Sequence, residues 1–211
     1  YDKQTNQYDF KNDFTFVKPY IEKADFALTN IETTFGGEQK KYTGYPMFNS
    51  PDVLADALKD TGFDAISTAS NHILDSGADG FFRTLKVIRE IGFINIGSRE
   101  NEQVTPFIVK DIKGIKVGFT SFVYETPRSG QYKTLNALKI PKNIESLINT
   151  FSYEHLDQDI AKMEAIVNKM KEQKCDVIIF GMHWGTEYQR QPNDYQKRIA
   201  QSLSDFGVDV I

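Results

Sequence analysis

Apolar runs and helix-period segments alternate along the chain. Phe26 to Ile31 is a short run suited to a buried strand. Ser50-Pro51-Asp52 then reads as an N-cap, a proline at the first helical position and an acid in the first turn. Val53, Leu54, Ala57 and Leu58 follow on one face, with Gly62 as the stop. Phe63 to Thr68 is the next strand. The spacing of Phe81, Leu85, Ile88 and Ile91 predicts a helix that begins near Gly77 and closes at Gly92, after which Phe93 to Ile96 returns as a strand. Thr105 to Asp111 and Ile115 to Phe122, joined by Lys113-Gly114, read as a β-hairpin. From Tyr124 to Tyr153 polar positions dominate and Pro127, Gly130 and Pro141 intervene, which predicts a long surface loop of the kind that carries function. Ile160, Met163, Ile166 or Val167, and Met170 mark the buried stripe of a further helix, the methionines serving as core filler. Asp176 to Met182 reads as a fully apolar buried strand, Asp194 to Phe206 as a helix, and Val208 onward as a final strand.

This alternation predicts an α/β layered fold with mostly parallel strands, in which ligands gather outside the carboxyl ends of the strands. No internal repeat, low-complexity tract or linker divides the chain, so a single domain over 1–211 is expected. There is no initiator Met, and Gly207 to Ile211 reads as a turn and a strand that stops in its middle; a piece of a longer protein is the expectation.

Composition narrows the function. With 40% hydrophobic and 26% charged residues, the 211-residue chain has the apolar content to bury a core. A net charge of −4, with no basic run longer than Lys40-Lys41, gives counterion release no source, so nucleic acid is excluded as a partner. No apolar stretch approaches the ~18 to 20 residues of a membrane-spanning helix. The lone Cys175 permits neither an internal disulfide nor a thiolate zinc site and reads as a buried structural cysteine.

Three strand ends deliver polar groups: Thr29 to Thr33, Ser70 to Asp75, and His183 to Glu187. Asn71-His72 offers an amide oxygen and an imidazole, a metal ligand and a proton donor respectively; a polar pair capping the helix near Gly77 would give the same dipeptide. His183 is more telling, because a buried apolar strand has little reason to finish on imidazole unless a partner waits there. His, Asn and Glu at neighbouring strand ends make a mixed N/O ligand set for a divalent ion such as Mn, Zn or Fe, with catalytic and structural roles both open. His155, among polar residues, reads as a surface histidine. No Gly-x-Ser-x-Gly, Walker A or Gly-x-Gly-x-x-Gly pattern is present, which leaves serine hydrolase, P-loop NTPase and dinucleotide-binding chemistry unsupported.

The ordered set Tyr8-Asp9-Phe10, Val17-Lys18-Pro19-Tyr20, Ala24-Asp25, Asn30-Ile31-Glu32, Tyr42-Thr43-Gly44-Tyr45-Pro46 with Phe48-Asn49, Ala69-Ser70-Asn71-His72 with Asp75 and Gly77, and His183-Trp184-Gly185 with Glu187-Tyr188 resembles the CapA-type poly-γ-glutamate capsule synthesis proteins. That family is similar to the calcineurin-like metallophosphoesterases. The resemblance implies a four-layer α/β/β/α sandwich of metallophosphoesterase type, incomplete at both ends here, with the first and last metal-binding motifs outside the chain. It implies metal ligands at Asn71 and His183, a bridging carboxylate at Glu32 where the wider superfamily has Gly-Asp, and a general acid at His72. Asn30, Tyr42, Tyr45, Asp75, Trp184 and Glu187 are implied as supporting or substrate-side residues, with Asp75 orienting His72.

Two divalent ions in the longer protein would then polarise a phosphoryl or related oxygen, and the fragment alone would bind at most one weakly and be inactive. The resemblance further implies an extracytoplasmic, membrane-anchored place at the bacterial surface. Its implied partners are an anionic polymer or phosphate-ester substrate and membrane-bound capsule synthesis components. A non-catalytic assembly subunit on the same fold is the alternative, favoured by the Glu32 exchange. The negative net charge gives tight polyanion binding no general support.

Overall fold

The computed structural model describes the backbone of residues 1–211 and every side chain except those of Arg128 and Ser129. Packing resolves two compact units, one of Tyr1–Thr68 with His72–Asn95 and one of Ala69–Asn71 with Ile96–Ile211.

The first unit is built on a sheet in the order β1 (Leu28–Asn30), β2 (Ala65–Ser67), β3 (Ile94–Ile96), with β1 and β2 parallel and Asn30 opposite Ser67. A short helix, α1 (Lys18–Ile21), precedes β1, while α2 (Val53–Thr61) and α3 (Gly77–Ile91) make the crossovers. Ile31, Phe35, Leu58, Ile66, Val87 and Ile88 form its buried core. Both long helices end where glycine was expected: Gly62 and Gly92 take left-handed conformations that L-residues resist. The start of α2 differs from expectation. It begins at Val53 rather than Pro51, and no side chain caps it, because the Asp52 carboxylate is occupied by Arg83 of α3 in a two-point pair at 2.8 and 2.7 Å. Val53 consequently faces solvent while Ala55, Ala57 and Leu58 are buried.

The second unit carries a mixed sheet in the order β10, β5, β4. The strand β4 (Ile108–Ile112) pairs antiparallel with β5 (Ile115–Tyr124) through the expected Lys113-Gly114 turn, and β10 (Val177–His183) runs parallel to β5 on its other edge. Val210 adds one parallel bridge to Ile179. Helices α4 (Leu156–Glu172) and α5 (Asp194–Asp205) cover this sheet with Met163, Val167, Met170, Ile199 and Leu203 against Phe122, Ile178 and Phe180. The methionines are core, as expected. Asn193 and Gln196 form a reciprocal capping box at the start of α5. The strand β10 is buried on one face only: Ile178 and Phe180 point into the core, whereas Val177 and Ile179 are half-buried. Cys175 is likewise half-buried against the core.

The stretch Tyr124 to Tyr153 is not a surface loop. It holds a three-stranded antiparallel sheet, β6 (Thr126–Ser129), β7 (Tyr132–Leu135) and β8 (Leu138–Lys139), followed by β9 (Thr150–Phe151), which pairs parallel with the end of β5. Leu135, Ile140, Ile144, Leu147, Ile148 and Phe151 are all buried. Ile140, Ile144, Leu147, Ile148 and Phe151 fall at helical spacings, yet residues 142–147 form turns after Pro141 and not a helix, and the turn between β7 and β8 rests on Asn136 and Ala137 at positive φ rather than on glycine. The α/β class expected from the sequence is borne out, with a parallel pair at the heart of one unit and a mixed sheet in the other. Among the described residues no helix is long and apolar enough to cross a membrane.

Candidate functional site

In the first unit the chain turns sharply between β2 and α3. The Asp75 amide donates to the His72 carbonyl at 3.1 Å and the Gly77 amide to the Leu74 carbonyl at 2.7 Å, while buried Ile73 and Leu74 pin the turn from beneath. His72 is 8% exposed, and its Nδ1 lies 2.7 Å from Asp75 Oδ2. The same oxygen accepts the Phe48 backbone N–H at 2.6 Å. A backbone N–H can only donate, so Oδ2 is an acceptor and the Nδ1 proton of His72 points at it. The Phe48 ring stands edge-on to the imidazole with centroids 4.6 Å apart. Asp75 was expected to orient His72, and the two side chains lie within hydrogen-bond distance.

Phe48 reaches that position because the 42–49 loop is stitched down at several points. Thr43 and Asn49 exchange two backbone hydrogen bonds of 3.0 Å. Thr34 Oγ1 donates to the Phe48 carbonyl at 2.8 Å and meets Ser76 Oγ at 2.6 Å. Buried Asn49 accepts from the Gly36 amide at 2.7 Å and donates to the Gly37 and Lys41 carbonyls at 3.1 and 2.7 Å. Lys40 Nζ caps the Ser76 carbonyl at 2.8 Å. Sequence reasoning quoted Phe48-Asn49 without giving it a role; the signal for Asn49 was an asparagine in a glycine- and proline-rich loop. For Thr34, Ser76 and Arg83 the sequence held no signal.

The remaining candidates divide between the units. Asn30 ends β1 and Glu32 follows it in the first unit, and both are exposed. Tyr42 is half-buried with its ring edge on Tyr8 at 5.4 Å, and burial, with Asp52 and Glu38 nearby, pushes its phenol above the usual range. Tyr45, at the loop tip, is 87% exposed. In the second unit Asn71 holds a buried Oδ1 that meets no protein donor. His183 ends β10 opposite Val123 of β5, and Trp184 packs on the core with Phe151 at 6.3 Å. Gly185 then turns at φ +105, a value that suits glycine, and Glu187 is exposed. Trp184, Thr186, Arg190 and Gln196 line an open pocket of about 640 Å³.

These residues fit a metal in part. The orphaned Asn71 Oδ1 is a desolvated acceptor, and a cation is one of the few partners that satisfies it. No group of three or more His, Cys, Asp or Glu side chains converges among the described residues, so a complete cage is not present.

The arrangement is therefore that of an α/β protein with an oriented imidazole and an unsatisfied amide oxygen in the segment that leaves a parallel strand. The family model described as "Bacterial capsule synthesis protein PGA_cap" matches residues 1–211, and the chain belongs to that family. It is 27% identical over 218 aligned residues to "Capsule biosynthesis protein CapA" of Bacillus anthracis, covering 98% of this chain and 48% of that protein. It is 23% identical to "PGA biosynthesis protein CapA" of Bacillus subtilis (strain 168), covering 100% of this chain and 52% of the other. The chain thus spans about half the length of the curated relatives it matches. A calcineurin-like phosphoesterase, YfkN from Bacillus subtilis, aligns in structure with a TM-score of 0.44 and 20% identity over 77% of this chain and 47% of its own.

Proposed function

We propose that the protein acts in poly-γ-glutamate capsule synthesis or export through a hydrolase-type site at the strand ends, with His72 as the proton donor. The observation that supports this most is the buried His72–Asp75 pair at 2.7 Å. Asp75 fixes the ring, from which the imidazole would give a proton to a leaving oxygen. Phe48 screens one side of the imidazole from water. Asn71 offers its amide oxygen to a divalent ion, and Glu32 and His183 are the further ligands that the family resemblance implies. Such an ion, when bound, would polarise the scissile ester or amide oxygen. Extracytoplasmic placement at the bacterial surface belongs to the same proposal.

The two roles separate by metal content. Protein extended to the length of the Bacillus relatives, incubated with Mn or Zn and freed of excess ion, is expected to retain metal, to lose it in Asn71→Ala and His183→Ala, and to keep it in His72→Ala. Equal retention in all four overturns the ligand assignment. A second reading, a non-catalytic assembly subunit, is favoured by the lack of a three-residue acidic or imidazole cluster among the described residues. It predicts no metal retention and no hydrolysis.

A further inference from the structure

The second unit contains a cavity that none of the candidate site residues lines. It measures about 500 Å³ and has an apolar floor of Pro106, Phe122, Ile148 and Ile166. Arg99, Lys133, Lys162 and Lys169 stand around it, and among the described residues of its wall Glu145 is the carboxylate that faces them. Two of the cations are already offset. Lys133 Nζ lies 2.7 Å from Glu125, whose side chain is 1% exposed and whose Oε1 also accepts from Thr150 at 2.5 Å. Lys162 Nζ lies 2.7 Å from the buried Asp159. Among the lining residues that leaves Arg99 and Lys169 against Glu145, with Glu102 outside the lining also acting on Arg99.

Arg99 is held in place by neutral acceptors. Its Nη1 donates to Asn149 Oδ1 at 2.8 Å and its Nη2 to the Ser146 carbonyl. Asn149 is 6% exposed, and its Nδ2 donates to the Pro106 carbonyl at 2.8 Å and to Thr120 Oγ1 at 3.1 Å, so the residue that aims the guanidinium is itself fixed. Burial pushes the Arg99 guanidinium below its usual value, and the charge of Glu102 opposes that only in part. A half-buried guanidinium whose hydrogen-bond partners are neutral keeps charge to offer a ligand, and its planar fork matches a carboxylate. The floor adds a second requirement: an occupant must bring aliphatic surface as well as charge.

From this juxtaposition of an apolar floor with the Arg99 and Lys169 cations we propose that the cavity is a second ligand site, one that takes an organic carboxylate with a short methylene body. Two sources share that chemistry, a free dicarboxylate and a segment of γ-linked glutamate chain. In glutarate the carboxylates are separated by methylene groups alone and in the γ-linked chain by methylenes and an amide, so in both the charge would meet Arg99 while the methylenes cover Phe122 and Ile148.

Titration of the 211-residue chain with glutarate, with a γ-linked glutamate trimer and with inorganic phosphate, followed by calorimetry, tests the proposal. Glutarate or the trimer is expected to bind at least about tenfold more tightly than phosphate, which has charge but no aliphatic body. Arg99→Gln should weaken that binding by about tenfold or more, the loss expected for a charged hydrogen-bond partner. Lys169→Gln, at an exposed helical position where folding is safe, should weaken it by a few-fold and keeps the test open if Arg99→Gln fails to fold. Tighter binding of the trimer identifies the polymer as the source, and tighter binding of glutarate identifies the free acid. Phosphate binding as tightly as either carboxylate, no carboxylate binding, or Lys169→Gln leaving the affinity unchanged overturns the proposal.

Discussion

Asp75 has a side chain 1% exposed, yet its two oxygens fare differently. Oδ2 holds both the His72 ring and the Phe48 amide, and Oδ1 has no protein partner. The price of that arrangement is a desolvated carboxylate, and what it secures is a single orientation for the imidazole. Asp75→Ala leaves two buried donors unmatched and is expected to cost about 1 to 3 kcal/mol of stability. Asp75→Asn, which keeps an acceptor oxygen in place, should cost less; urea denaturation of the two variants checks the order, and equal midpoints contradict it. At this scale the sequence was only partly legible. His72 and Asp75, three positions apart on one turn, are paired by local geometry, and local geometry can be read from sequence. Asn49, Thr34 and Arg83 act across separations of 8 to 48 residues, which no periodicity encodes.

The helices were legible because each carries an apolar stripe, and α2 and α3 also end on glycine: α2, α3 and α4 lie where the spacing of Leu58, Phe81 and Met163 puts them. The sheet of β6, β7 and β8 was not, since strands of two to four residues are too short to show alternation. Close approach of elements adds a constraint that propensity does not contain. A Cβ placed on Gly80 of α3 would lie 2.2 Å from Ser76 Cβ. Helix propensity alone favours Gly80→Ala by about 1 kcal/mol. Here the crowding wins, because the clash is with a Cβ at the start of the helix and not with the end of a flexible side chain, and Ser76 is also held by Thr34. Gly80→Ala is expected to destabilise by about 1 to 3 kcal/mol, read as a lower thermal midpoint; a higher midpoint would show that Ser76 moves aside freely.

For the whole molecule, family membership rests on a match along all 211 residues, and those residues correspond to about half of each Bacillus relative. Stability should share one pH signature across both units. Burial raises the Tyr42 phenol in one unit and the Cys175 thiol and Tyr124 phenol in the other. Each keeps its proton in the folded chain to a higher pH than in the unfolded chain, so the folded state binds more protons above the ordinary thiol and phenol values. Stability is therefore fully present at neutral pH and falls as pH rises past 9 and then 10. Denaturation midpoints at pH 7 and at about pH 10 measure the fall, and Cys175→Ala should reduce its first part.

The central claim is that His72, oriented by Asp75, gives a proton to a leaving group at a metal-assisted site. Its most direct test is turnover of an aryl phosphate ester by metal-loaded protein, extended to the length of the Bacillus relatives, with and without His72→Ala. The account predicts measurable hydrolysis by the unaltered protein and a fall of roughly 10²- to 10⁴-fold in the variant, with metal content unchanged. Metal uptake with no hydrolysis by the unaltered protein, or equal turnover in the two, contradicts it.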